Sequence, residues 1–290
     1  MKKDKSLLID SFIALGLLIA SGVGVFYRTI HFDRVVENVY GDRVLLFGRG
    51  IYAYESAFQG PIFIGTDLVI FVLVFVCFGL RWGMHHPLLK PLVHIGFLTV
   101  FLYYSASLAF GTMMNRLFIV YIATFGLVFF RLVYMLLQYD YKPLQAMIRF
   151  QKMPKGLLVF LVIMGLSVSV WFIEIITVII DNRPSELIGI KTTEPTYIFD
   201  LALIAPACFI AVYTLKQKRA FGIVLSAMML TLLSAIGLIV IAQTLTQSYF
   251  GVEVGLAELI VFVFSFAFLS GFAIFYLLQI LRKVYNTDSG

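Results

Sequence analysis

The sequence predicts an all-α protein: a polytopic transmembrane helix bundle of about eight spans, with both termini cytoplasmic. Three observations carry this. Apolar runs of about 20 residues recur along the chain, the length that crosses a hydrocarbon core of about 30 Å. Charged residues make up 13% of the 290 residues, half the roughly 25% of a soluble domain. Loops rich in Lys and Arg alternate with loops poorer in them, as the positive-inside rule requires.

The spans follow in order. The first runs over about 7–27, after the basic start Met1-Lys-Lys-Asp-Lys5. Ala20 and Gly22 are small enough for signal-peptide cleavage. Gly16, Ala20 and Gly24 also form a small-residue stripe at i, i+4 and i+8, which suits close helix packing and favours a retained helix. Residues 28–59 are the longest polar connection. The second span (60–80) contains Asp67, and a short basic loop leads to the third (91–112). A tight turn with Asn115 and Arg116 precedes the fourth (117–137). Residues 138–155 are basic, with Leu144, Met147 and Ile148 at helical spacing, the pattern of an amphipathic helix on a membrane surface. The fifth span (156–180) holds Glu174, the sixth (196–215) holds Asp200, the seventh covers 221–245, and the eighth (258–281) opens on Glu258.

Charge orients this arrangement. The start, the even-numbered connections and the tail carry fourteen Lys and Arg, whereas the odd-numbered connections carry seven. The basic side is therefore predicted to be cytoplasmic. Arg131, near the inner end of the fourth span, is expected to snorkel to the interface. The net charge of +6 belongs to these loops and does not point to nucleic acid. Integral insertion in a plasma membrane, the inner membrane of a bacterium, is the expected location, with the lipid bilayer as first partner.

The acids then become informative. Asp67 and Glu174 each lie about 10 Å inside the outer end of their spans, and Asp200 about 8 Å. Glu258 stands at the outer mouth of the eighth span. Carboxylates in spans are costly unless paired or hydrated, which makes them functional candidates. Arg28, Arg49 and Arg116 are at a similar depth, as are Tyr103, Tyr104, Ser107, Asn115, Tyr121 and Thr124. Asp67, Glu174, Asp200 and Glu258 with Arg49, Arg116 and Tyr104 thus form a candidate outward-facing polar site for a cation, a proton or a small solute. The plain alternative is that these acids reach the headgroups or pair helices together. Asp200, near a helix start, is also favoured by the helix dipole. Pro206 withdraws a donor from the Ala202 carbonyl, leaving either a polar site or a packed kink.

Other chemistry is sparse. Four scattered histidines lack metal-ligand spacing, so no metal or cofactor is expected. His94 is expected to bond a backbone carbonyl. Cys77 and Cys208 read as core thiols. The phosphate-cradling glycine loop, His-Glu-x-x-His, Gly-x-Ser-x-Gly and Cys-x-x-Cys patterns are missing from the sequence, and they are the usual signatures of soluble catalytic machinery. Three readings follow. The first is a transporter or channel-like protein for a small solute or ion. The second is a non-enzymatic sensor, scaffold or assembly factor with a membrane protein partner. The third is an enzyme acting on a lipid-linked substrate, with Asp33, Glu37 and Asp42 beside arginines in the first outer loop. An enzyme is the less favoured reading.

Overall fold

The computed structural model describes residues 2–151, 153–181, 188–253, 255 and 259–286. Among these residues, eight helices are long and apolar enough to cross a membrane: Ser6–Phe26, Gln59–Gly83, Leu89–Gly111, Phe118–Gln138, Lys155–Ile180, Pro195–Lys216, Ala220–Tyr249 and Ser265–Tyr285. The protein is a multi-pass helical membrane protein.

The helices are α1 (Lys2–Phe26), α2 (Gln59–Gly83), α3 (Leu89–Gly111), α4 (Phe118–Gln138) and α5 (Lys142–Phe150). Then come α6 (Lys155–Ser167), α7 (Trp171–Asp181), α8 (Pro195–Phe199), α9 (Ala205–Lys216), α10 (Ala220–Tyr249) and α11 (Ser265–Tyr285). A 3₁₀ turn joins α6 to α7 within the fifth span. A π-helical turn, Asp200–Ile204, joins α8 to α9 within the sixth. There the Ala205 N–H donates to the Asp200 carbonyl. The proline one residue on has no N–H to continue an i→i+4 ladder, and the longer i→i+5 bond takes up the defect.

Two helices sit inside the bundle. In α3 and α10, 72% of the span is buried, against 17–44% elsewhere. The other spans surround them and turn one side outward, where Ile119, Phe130 and Leu137 are exposed as lipid-facing side chains. Helix α10 packs on α2, α3, α9 and α11. Close approach depends on small residues: a Cβ on Gly65 would meet the backbone of Gln243, one on Gly96 the Thr231 side chain, and one on Gly237 the Ser270 side chain. The short helix α5 forms as its spacing predicts. Its Leu144, Met147 and Ile148 are buried within the protein, and α5 contacts α10. Gln145 ties the α9–α10 turn by donating to the Lys218 carbonyl (2.8 Å) and accepting from the Ala220 N–H (3.0 Å).

The first outer loop is more ordered than its polar composition implies. Strands β1 (Val35–Glu37) and β2 (Arg43–Leu45) pair antiparallel, with Val36 opposite Val44. Asn38 Oδ1 accepts from the Tyr40 and Asp42 N–H groups, each at 2.9 Å, and closes the turn, while Gly41 takes φ 87°. Behind the hairpin a 3₁₀ turn, Gly50–Tyr52, is buried against the bundle. The loop caps the end of the bundle that the loop charges predict to be outer.

Candidate functional site

Asp67 is the most enclosed of the predicted outer acids that the structure describes. It is fully buried on α2. Its Oδ1 accepts from Tyr104 Oη (2.6 Å) on α3, and its Oδ2 from Tyr52 Oη (2.7 Å) on the cap. Gly24 on α1 makes room, since a Cβ there would overlap the carboxylate. Tyr52 stacks on Phe63, with ring centroids 5.0 Å apart. Burial, then the neighbouring Asp67, pushes the Tyr52 phenol well above its ordinary value, so it stays protonated and donates. Arg28 lies within electrostatic range of Asp67, and burial draws it below its usual value against that pull. Its Nη1 donates to the carbonyls of Gly24 and Tyr27, both at 3.0 Å. Among the described residues no cation comes within ion-pair distance of Asp67, whose direct partners are two neutral hydroxyls.

Asp200 sits apart. It is 7% exposed and accepts from Trp171 Nε1 (2.8 Å) and Tyr103 Oη (3.1 Å). Adjacent tyrosines on α3 therefore serve different carboxylates, Tyr103 facing the α7–α8 side and Tyr104 the α2 side. Among the described residues, Asp67 and Asp200 have no hydrogen-bond partner in common. Glu174 is half-buried on α7, within electrostatic range of Tyr197, and Tyr197 stacks on Trp171 at 4.6 Å. Glu174 belongs to the Asp200 side.

The predicted cations are not at the acids. Arg116 is exposed in its turn. Arg49 is exposed, with its guanidinium 5.7 Å from the Phe250 ring centroid, a cation–π distance. Glu258 lies outside the described residues. The sequence reading missed Glu55, which is 1% exposed in the cap. Its Oε1 accepts from the Met113 N–H (2.6 Å), and Lys191 Nζ lies 3.4 Å from its Oε2. Burial raises Glu55 above the ordinary carboxylate value, with Lys191 and the Met113 N–H opposing. This acid fastens the cap to the α3–α4 turn and to the loop before α8.

The largest correction is at the inner end. Asp10 of α1, 2% exposed, is clasped at two points by Arg131 of α4, with Nε to Oδ1 at 2.7 Å and Nη2 to Oδ2 at 3.0 Å. Arg81 Nη1 of α2 lies 2.7 Å from Oδ2, and His94 Nε2 of α3 lies 3.3 Å from Oδ1. Arg131 does not snorkel; at 6% exposure it turns inward because Asp10 and Ser6 Oγ (2.7 Å) receive its donors. His94 bonds Asp10 rather than a backbone carbonyl. Four helices meet at one buried carboxylate. Depth was available in the sequence, since all four residues lie near inner ends. Helix rotation was not, and it decides which of them touch.

Among the described residues no group of His, Cys, Asp and Glu is arranged to hold a metal ion. Comparison with protein-family models found no match, and comparisons with curated proteins and with solved structures found none either.

Proposed function

We propose that the protein is a proton- or cation-coupled transporter of a small solute in a plasma membrane, a bacterial inner membrane, with Asp67 as the coupling carboxylate. One observation carries this reading: a fully buried acid inside a span whose direct partners are two neutral tyrosine hydroxyls. A structural acid at this depth is expected to be locked by Arg or Lys, as Asp10 is. A carboxylate held only by hydroxyls retains the freedom to take a proton or a cation.

The geometry supports a mechanism. Hydrogen bonds to an ionised carboxylate are roughly twice as strong as neutral ones. Proton uptake by Asp67 therefore weakens the hold of Tyr52, and Tyr52 is the buried foot of the outer cap. Charge at Asp67 is thereby linked to access from outside. Toward the inner side, Leu17, Ile70, Val74 and Leu98 are buried between Asp67 and the Asp10 cluster. Asp67 and Cys77 are ten positions apart on α2, an apolar layer of about 15 Å. Two polar nodes separated by an apolar plug suit alternating access better than an open channel. Asp200 with Tyr103, Trp171 and Glu174 forms a second outer polar group on the opposite side of α3.

The test is reconstitution in proteoliposomes carrying an internal pH dye, with pools of small solutes added outside. The expected result is proton or cation movement that falls at least ten-fold in D67N. Unchanged flux in D67N, or wild-type flux no greater than in protein-free liposomes, discards the reading. The second reading is a membrane scaffold or assembly factor. It is favoured by the separation of Asp67 from Asp200, each satisfied within the chain. Co-purification of a stable membrane protein partner without any flux would support it.

A further inference from the structure

We propose that the inner ends of α2 and α3 form a site for a phosphate-bearing anion, independent of the outer acids. The charge balance is the first observation. Arg81 and Arg131 both reach a single carboxylate, Asp10, Arg131 already clasps both of its oxygens, and Lys90 lines a recess next to Arg81 and His94. His94 adds a further polar contact whichever its protonation state. A buried or half-buried surplus of positive charge calls for a counter-anion.

The second observation is where the spare donors lie. Arg81 uses Nη1 for both Asp10 and His94, the latter at 3.4 Å. Among the described residues no hydrogen bond reaches its Nε or Nη2, and the Lys90 ammonium has neither an ion pair nor a hydrogen bond. Both side chains line one recess beside His94, Cys77 and Met84. A planar guanidinium fork next to a flexible ammonium matches phosphate oxygens, the fork by paired donors and the lysine as a point charge.

The third observation concerns the setting. The recess lies at the end of the bundle where the loops are basic. Trp82, next to Arg81 in the chain, is 71% exposed, as an interfacial anchor would be. The phosphate can come from an anionic lipid of the inner leaflet or from a free anion in the cytoplasm.

The experiment uses the full chain purified in detergent. Native mass spectrometry compares retention of phosphatidylglycerol with that of phosphatidylcholine, and thermal unfolding is followed in rising inorganic phosphate. The Lys90→Gln variant is the probe, because Lys90 takes no part in the Asp10 network and its loss leaves the fold intact. Lys90→Arg is the conservative partner and is expected to behave as the wild type. A preference for phosphatidylglycerol that drops about five-fold in K90Q, the factor carried by one cation at an anionic surface, supports the proposal with a lipid as source. Saturable stabilisation by phosphate, lost in K90Q, supports it with a free anion as source. Neither signal in the wild type, or signals that persist in K90Q, overturns it.

Discussion

At the scale of single residues, the enclosure of Asp67 depends on one missing side chain. Gly24 lets α1 pass close enough to α2 for Asp67 to be sealed between them. Gly24→Ala forces the carboxylate or the helix to move, and overpacking of a tight core costs about 1–3 kcal/mol. The expected outcome is a clear drop in the detergent unfolding temperature. Gly79→Ala is the control, since a Cβ at Gly79 meets nothing within 4 Å, and it should leave the temperature unchanged or slightly higher. The stripe Gly16, Ala20, Gly24 was legible as a packing face. That it packs on Thr124 at one end and on a carboxylate at the other was not, because spacing gives a face but not its neighbour. Tyr104 was legible by depth. Tyr52 was not, because it lies in a loop whose path back into the bundle leaves no periodic signal.

At the scale of elements, the outer cap is the part the sequence described least well. The turn residues Asn38, Gly41 and Asp42 between Val-rich segments were the available hairpin signal, obscured by the charges around them. Glu55 makes cap docking sensitive to pH. Its value in the folded protein is raised, so the folded state holds the proton more tightly than the unfolded one. Linkage then gives stability that is present below the ordinary glutamate range and falls as pH rises through the folded value. The protection factors of residues 46–57, which correct for the intrinsic rise of amide exchange with pH, should accordingly be higher at the acid end of that window and lower above it. Glu55→Gln keeps an acceptor for the Met113 N–H and removes the titration, so the slope should vanish. A slope that survives in E55Q would assign the effect to another group. Pro206 is the opposite case: the sequence marked the break in the sixth helix, and the π turn is how the backbone absorbs it.

At the scale of the whole molecule, eight apolar runs and alternating loop charge were enough for the architecture, because lipid demands helices that satisfy their own backbone. The same charge pattern makes the absolute orientation testable. Val39, at the hairpin tip, is 72% exposed, and Gln217, in the α9–α10 turn, is exposed at the other end. The native thiols Cys77 and Cys208 are buried, at 4% and 0% exposure, so background labelling by an impermeant maleimide should be low. In right-side-out vesicles V39C should label directly and Q217C only after permeabilisation. The converse pattern would invert the molecule. It would place the Asp67 cap inside the cell and move the Arg81–Lys90 recess to the outer leaflet, so this one measurement fixes which compartment each polar node serves.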